Sequence, residues 1–267
     1  LRAADAPPAA LAVTEISLPA TIARTQPKIV KIYGAGGLRG LEAYQSGFLI
    51  SPEGHILTAW SYVLDTDYIT TVLNDGRKFE TKLVGADPRL EIAVLKIAAA
   101  DLPCFDLKQA AEAEAGTRVL AFSNLFNVAI GDEPASVQHG QIAVKTQLEA
   151  RRGVFETPYD GPVYVLDVVT NNPGAQGGAL VTRRGELLGM LGKELRNSLN
   201  NTYLNYALPI PTLRDTVDQI LAVQLAVRPP EEAKKPVKSL TLESLGVKLV
   251  PDILDRTPAY VDQVVPG

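Results

Sequence analysis

The chain has 267 residues, 46% of them hydrophobic, with 21 glycines, 19 prolines and a net charge of −4. This composition is globular and rich in turns, which excludes a coiled coil and a wholly disordered chain; the acidic balance offers no basic face to a nucleic acid. No apolar run approaches the roughly 20 residues of a membrane-spanning helix, and the one cysteine, Cys104, has no partner for an internal disulfide and reads as a small apolar residue.

Residues 1–20 are rich in Ala and Pro and read as a flexible extended segment. Their Ala-x-Ala pattern is of the kind found at signal-peptide cleavage sites, which predicts an exported, periplasmic protein; a plain Ala/Pro tail is the alternative. Thr21 to Lys31 reads as a short helix leading into a strand, with Pro27 between. Short apolar runs with turn signals follow: Phe48 to Ser51, His55 to Thr58, Tyr68 to Leu73, Phe79 to Val84 and Ile92 to Ile97. Asn74-Asp75-Gly76 between two of them is a strong hairpin turn. A second set runs through Arg118 to Phe122, Gln141 to Thr146, Val163 to Val169, Gly178 to Thr182, Leu187 to Leu191 and Tyr203 to Leu208. Many short antiparallel strands at this spacing predict a barrel or sandwich. Thr212 to Leu221 reads as a helix with Thr212 as its N-cap and Leu213, Val217, Ile220 and Leu221 on one face. The charged, Pro-rich residues 227–239 read as a linker. Strand-like patterning returns from Leu240 to Gly267 and stops as if inside a domain. The expected organisation is a flexible segment 1–20, a two-part β domain 21–224, a linker 225–239 and part of a further domain 240–267.

Several stretches resemble one family in order and spacing. They are Ser46-Gly-Phe-Leu-Ile-Ser-Pro-Glu-Gly-His-Ile-Leu-Thr58, Leu73-Asn-Asp-Gly-Arg-Lys-Phe79, Ile92-Ala-Val-Leu-Lys-Ile97, Asn172-Pro-Gly-Ala-Gln-Gly-Gly-Ala-Leu-Val181 and Asn205-Tyr-Ala-Leu-Pro-Ile-Pro211. As an ordered set they resemble the HtrA/Deg trypsin-like serine proteases. The resemblance implies an all-β fold of two six-stranded antiparallel barrels with the active site between them, and a short C-terminal helix. Leu240 to Leu249 and Ala259 to Gly267 are similar to the first part of a PDZ domain of the same family. That likeness implies a loop, Ser244-Leu245-Gly246-Val247, whose backbone amides capture peptide C-termini. It also implies a trimer, homo- or hetero-oligomeric, formed through the N-terminal segment near Ile16 to Ile22.

The resemblance places the catalytic histidine at Ser61, the aspartate at Glu91 and the nucleophile at Gln176. An amide is no nucleophile, and a hydroxyl has no useful basicity near neutral pH. Loss of such a triad costs about 10⁶-fold in kcat. These substitutions lead to the expectation of a pseudoenzyme: a serine endopeptidase homologue acting as a peptide-binding, scaffold or regulatory subunit of the cell envelope, with no cofactor and no metal. The alternative is an active quality-control protease with a rearranged site, which would need a serine and a histidine in reach of each other. His55 and His139 read as structural or solvated, and Lys193 as a solvated charge. The backbone amides of Gly174 and Gln176 are the candidate oxyanion hole. Trp60 is read either as filling space near the imidazole site or as plain core.

Overall fold

Strands that are apolar at nearly every position need cover on both faces, and two barrels pressed together provide it. The computed structural model describes residues 17–36, 41–149, 159–196, 203–222, 247–249 and 261–264. Helix α1 (Leu18–Thr25) leads through a tight turn holding Pro27 into β1 (Ile29–Tyr33), then β2 (Tyr44–Leu49), β3 (His55–Ala59), β4 (Ile69–Val72), β5 (Lys78–Asp87) and β6 (Ile92–Ile97). These six close into a barrel in the order β1-β2-β3-β6-β5-β4, every pair antiparallel. A second set comprises β7 (Arg118–Ser123), β8 (Ser136–Glu149), β9 (Asp160–Leu166), β10 (Ala179–Thr182), β11 (Leu187–Leu191), the short hairpin β12 (Leu195–Arg196) and β13 (Tyr203–Leu204), and β14 (Tyr206–Pro209). Here the closed order is β10-β11-β14-β9-β8-β7, with β12 and β13 pairing apart from it. Helix α2 (Ile210–Ala222) follows, and β15 (Val247–Leu249) pairs antiparallel with β16 (Val261–Val264). The all-β, two-barrel expectation holds.

Side chains alternate along a strand, and here the alternation is between two cores rather than between core and water. On β1, Val30 and Ile32 point into the first barrel while Ile29 joins the core shared by both barrels. Leu49 and Phe48 on β2, Ile56 and Leu57 on β3, and Leu95 and Val94 on β6 divide the same way. From the second barrel, Phe122, Ala179, Val181, Met190 and Leu208 complete the shared core, while Val119, Ala121, Leu180 and Ala207 fill the barrel interior. The Asn74-Asp75-Gly76 turn closes the β4–β5 hairpin as read, with Gly76 N–H on Leu73 O at 3.0 Å.

Several elements differ in extent from the sequence reading: β2 starts at Tyr44 and β9 at Asp160, earlier than expected, and α1 begins at Leu18, inside the segment read as extended. Helix α2 begins at Ile210, two residues before Thr212. Pro211 falls in its first turn, where a missing N–H and a fixed φ are no handicap. β8 begins at Ser136, five residues before the expected Gln141. Its first residues, Val137, Gln138, His139 and Gly140, pair with β7 through a stretch with no apolar alternation. Helix α1 starts at Leu18, and its Thr21 hydroxyl donates to Arg183 O at 2.9 Å, tying the N-terminus to the turn between β10 and β11. Ile16 lies outside the described residues, as do Ser244, Leu245 and Gly246; Val247 opens β15.

Phe48 is fully buried and meets the Phe105 ring edge-on, with centroids 5.7 Å apart. Phe48→Ala therefore opens a cavity in the shared core and lowers the unfolding free energy by about 3–5 kcal/mol. Urea unfolding reads this as a lower midpoint at unchanged slope.

Candidate active site

Two barrels meeting edge to edge bring residues far apart in sequence to one place. The loop from Asn172 to Gly178 runs between β9 and β10 and folds tightly on itself, with Ala175 N–H on Asn172 O at 3.0 Å and Gly178 N–H on Ala175 O at 3.1 Å. Gly174 has φ +83°, and any Cβ there would collide with the Asn124 carbonyl oxygen and sit 2.7 Å from the Tyr44 ring. Only glycine fits. Ser46 of β2 clasps this loop. Its N–H donates to Gln176 O at 3.1 Å, its hydroxyl donates to Gly174 O at 2.6 Å, and the same oxygen accepts Asn124 N–H at 2.7 Å. Gly177 N–H is spent on Leu191 O at 2.9 Å. The Gly174 and Gln176 N–H groups donate to nothing among the described residues.

Ser61 follows β3 and is buried. Its oxygen caps the turn Tyr62–Leu64 by accepting Val63 N–H at 3.2 Å. Its hydroxyl donates to Gln45 Oε1 in a very short hydrogen bond. Gln176 Nε2 donates to the same oxygen at 3.4 Å. Gln45 is held in turn: its Nε2 donates to Thr58 Oγ1 at 2.7 Å and to Ala59 O at 2.9 Å. The structure thus brings Ser61 and Gln176 together on a shared acceptor that sequence reasoning missed. Nothing near Gln45 in sequence marks it; the signal is only that a long polar side chain occupies a strand buried at all six positions.

Glu91 lies just before β6 with φ +57°, a left-handed backbone conformation that costs a non-glycine residue about 1–2 kcal/mol. Several contacts fix it there. Its carbonyl accepts Trp60 N–H at 2.9 Å, its Oε1 meets Lys193 Nζ at 2.9 Å, and its Oε2 accepts the Tyr206 hydroxyl at 3.3 Å. The carboxylate is almost wholly buried, at 3% exposure, and Lys193 is 17% exposed. Burial, then the charge of Glu91, pushes the Tyr206 phenol well above its ordinary value, so it stays a donor. Lys193 is therefore an ion-pair partner at the centre and not the solvated charge the sequence suggested.

Both histidines stand elsewhere. His55 opens β3, with Nδ1 2.8 Å from the Ser51 hydroxyl. That is a serine–histidine pair, but it closes the β2–β3 turn at the far end of β3 from Ser61, about 17 Å along a five-residue strand. Burial lowers the His55 pKa, and the nearby Lys96 lowers it further. His139 lies on β8 in an open polar groove with Arg118, Gln141 and Asp167, where Asp167 Oδ1 accepts Gln141 N–H at 2.6 Å. Trp60 belongs to the first barrel's core. Cys104 is half-buried, and desolvation raises its thiol pKa. Among the described residues no three His, Cys, Asp or Glu side chains converge as a metal site requires.

Comparison with known proteins gives this geometry its setting. Residues 45–190 match the family model of the trypsin-like peptidase domain. The chain is 32% identical over 244 residues, 88% of its length, to a probable periplasmic serine endoprotease DegP-like of Pseudomonas fulva, and covers 48% of that protein. A protein of the same name from Ectopseudomonas mendocina is 30% identical over 84% of the chain, which covers 46% of that protein. Among solved structures, the HtrA-type protease AlgW with a tripeptide superposes with a TM-score of 0.63 at 26% identity, covering 77% of this chain and 64% of that one. The chain belongs to the trypsin-like peptidase family and spans about half the length of the curated relatives it matches.

These findings correct the expectation that the chain is no enzyme. The proteins it resembles over most of its length are named serine endoproteases. That expectation rested on Ser61, Glu91 and Gln176 and read Lys193 as solvated, whereas Gln45, Lys193 and Tyr206 join them at the centre.

A buried carboxylate without its cation is costly, which gives the ion pair a measurable signature. Lys193→Met lowers stability by about 3–5 kcal/mol. Adding Glu91→Gln removes the stranded charge and recovers much of that loss, so the two changes are strongly non-additive in a denaturant double-mutant cycle.

Proposed function

We propose that this chain is an HtrA-like serine endopeptidase of the periplasm with a rearranged centre, acting on polypeptide held where the two barrels meet. The observation that carries the reading is the 88% of the chain that aligns with a DegP-like serine endoprotease, over a fold that keeps the clasped Asn172–Gly178 loop. The periplasmic location and the polypeptide substrate are carried over from the names of those relatives.

Hydrolysis at this centre runs without imidazole. A peptide carbonyl seated on the Gly174 and Gln176 amides is polarised by two donors fixed in advance. Ser61 supplies the hydroxyl: its oxygen bonds to the carbonyl carbon as the carbonyl electron pair moves onto the oxyanion, and its proton, held by Gln45 Oε1 in the free protein, leaves for a carboxylate. In this reading the Glu91 carboxylate, paired with Lys193, takes the Ser61 proton and returns it to the departing amine nitrogen as the C–N bond breaks, and water then releases the acyl group from Ser61. In the same reading Ser244 to Val247 capture peptide C-termini, and the N-terminal segment joins HtrA-like subunits into trimers.

Magnitudes set the test. A serine protease stripped of its triad retains about 10³–10⁴ over the uncatalysed rate, from the oxyanion hole and binding alone. Turnover of fluorescently labelled unfolded casein by the purified full chain is expected to exceed that floor, and Ser61→Ala is expected to bring it down to the floor with the circular dichroism unchanged. Casein cleaved no faster than the floor overturns the activity; cleavage that survives Ser61→Ala overturns the assignment of the centre.

A further inference from the structure

A strand with one side unpaired carries a row of backbone donors and acceptors that another strand can take up, and folded proteins blunt such edges with proline, a bulge or a bare charge. The second half of β8 is such an edge. β7 pairs with β8 only as far as Gln141, and β9 pairs with it from Ile142 to Glu149. The β7 side reaches one residue further, where Thr117 O accepts Ile142 N–H at 3.0 Å and Ile142 O accepts Gly116 N–H at 2.8 Å. Beyond Ile142 no described strand lies on that side. Gln147 stands opposite Pro162, which has no N–H to give, so this pair does not exchange ladder hydrogen bonds. Gln147, and Lys145 two residues before it, therefore turn their N–H and C=O groups away from β9, and residues 144–147 are all exposed. The usual defences are missing here. The bulge in β8 falls earlier, between Ile142 and Val144, and the stretch holds no proline. Its one charge, Lys145, is taken by Glu112 at 3.2 Å and Glu114 at 3.7 Å.

We propose that the β8 edge from Val144 to Gln147 receives an extended, basic polypeptide segment as an added strand. Main-chain hydrogen bonds from Lys145 and Gln147 supply the hold, and the side chains beside them select. Glu112 and Glu114 bring two carboxylates, 65% and 81% exposed, against the single Lys145 ammonium. The net negative charge favours a lysine or arginine on the incoming strand, since opposite charges on neighbouring strands stabilise and like charges do the reverse. On the other face of β8, Val144 and Thr146 present β-branched neighbours that suit valine, isoleucine or threonine. A second copy of this chain is the poorer occupant, because it would bring a second Glu112 and Glu114 to the same edge. The surface uses none of the residues of the centre and stands whether or not Ser61 performs chemistry.

The test uses the full chain, ¹⁵N-labelled, titrated with a short acetylated and amidated peptide of alternating valine and lysine, the same peptide with glutamate for lysine, and the basic peptide with its valine nitrogens or its lysine nitrogens methylated. The basic peptide is expected to shift the Lys145 and Gln147 amide resonances and to bind roughly tenfold tighter than the acidic one at low salt, with the difference shrinking as salt rises. One of the two methylated peptides, the one that blocks the donors facing β8, is expected to leave the resonances unmoved. Gln147→Pro removes one outward N–H at a position where β9 pairing does not need it, and is expected to weaken the basic peptide about fivefold or more, while Gln147→Ala binds as the parent does. Glu112→Gln combined with Glu114→Gln is expected to abolish the preference for the basic peptide. Equal binding of acidic and basic peptides overturns the proposal, as do binding that survives both methylations and shifts confined to residues 244–247. Shifts of the Lys145 and Gln147 amides that depend on protein concentration without peptide assign the edge to a second copy and overturn it as well.

Discussion

Ser46 is the residue on which the junction depends. All of its polar atoms are engaged at once. Its N–H and hydroxyl hold the carbonyls of Gln176 and Gly174, its oxygen receives Asn124 N–H, and its carbonyl accepts the Thr58 hydroxyl at 2.6 Å. Two segments of the second barrel's chain and two strands of the first therefore meet at one small residue. Gly177 packs so closely on this strand that a Cβ on it would collide with Ser46 O. Gly174 and Gln176 donate their N–H groups to no acceptor among the described residues.

The features legible in the sequence were the local ones. Asn74-Asp75-Gly76 announces its hairpin because the turn chemistry lies in three adjacent residues. Gly174 and Gly177 mark the clasped loop because both need φ near +80°. The barrels were legible because short apolar runs recur in order, even though burial on both faces erased the usual alternation with polar residues. What escaped was every contact between distant residues. Gln45 and Gln176 are 131 positions apart, and Tyr206 and Glu91 are 115 apart. No periodicity or spacing links such pairs, so Lys193 read as solvated and Gln45 went unnoticed. The start of α2 was missed for a different reason: a proline in the first turn of a helix looks, in sequence, like a proline just before it.

The centre has been rebuilt around one electrostatic constraint. A carboxylate almost wholly removed from water needs a cation, because uncompensated burial costs several kcal/mol. Where the resemblance would put an imidazole there is Ser61, a neutral hydroxyl that cannot carry that charge. Glu91 instead takes its compensation from Lys193 and a further hydrogen bond from Tyr206, both on the second barrel. Lys193 thus supplies the charge compensation that the neutral Ser61 hydroxyl cannot.

This compensation also bears on the amide-rich side of the site. With Glu91 compensated by Lys193 and Tyr206, the hydrogen bonds that join Ser61 to Gln176 are between neutral groups, and neutral groups in a buried site must satisfy one another. Gln45 does this by accepting from both Ser61 and Gln176 while donating to Thr58 and Ala59. The result is an ion pair on one side and an amide network on the other. The Gly174 and Gln176 amides, without an acceptor among the described residues, belong to the amide side.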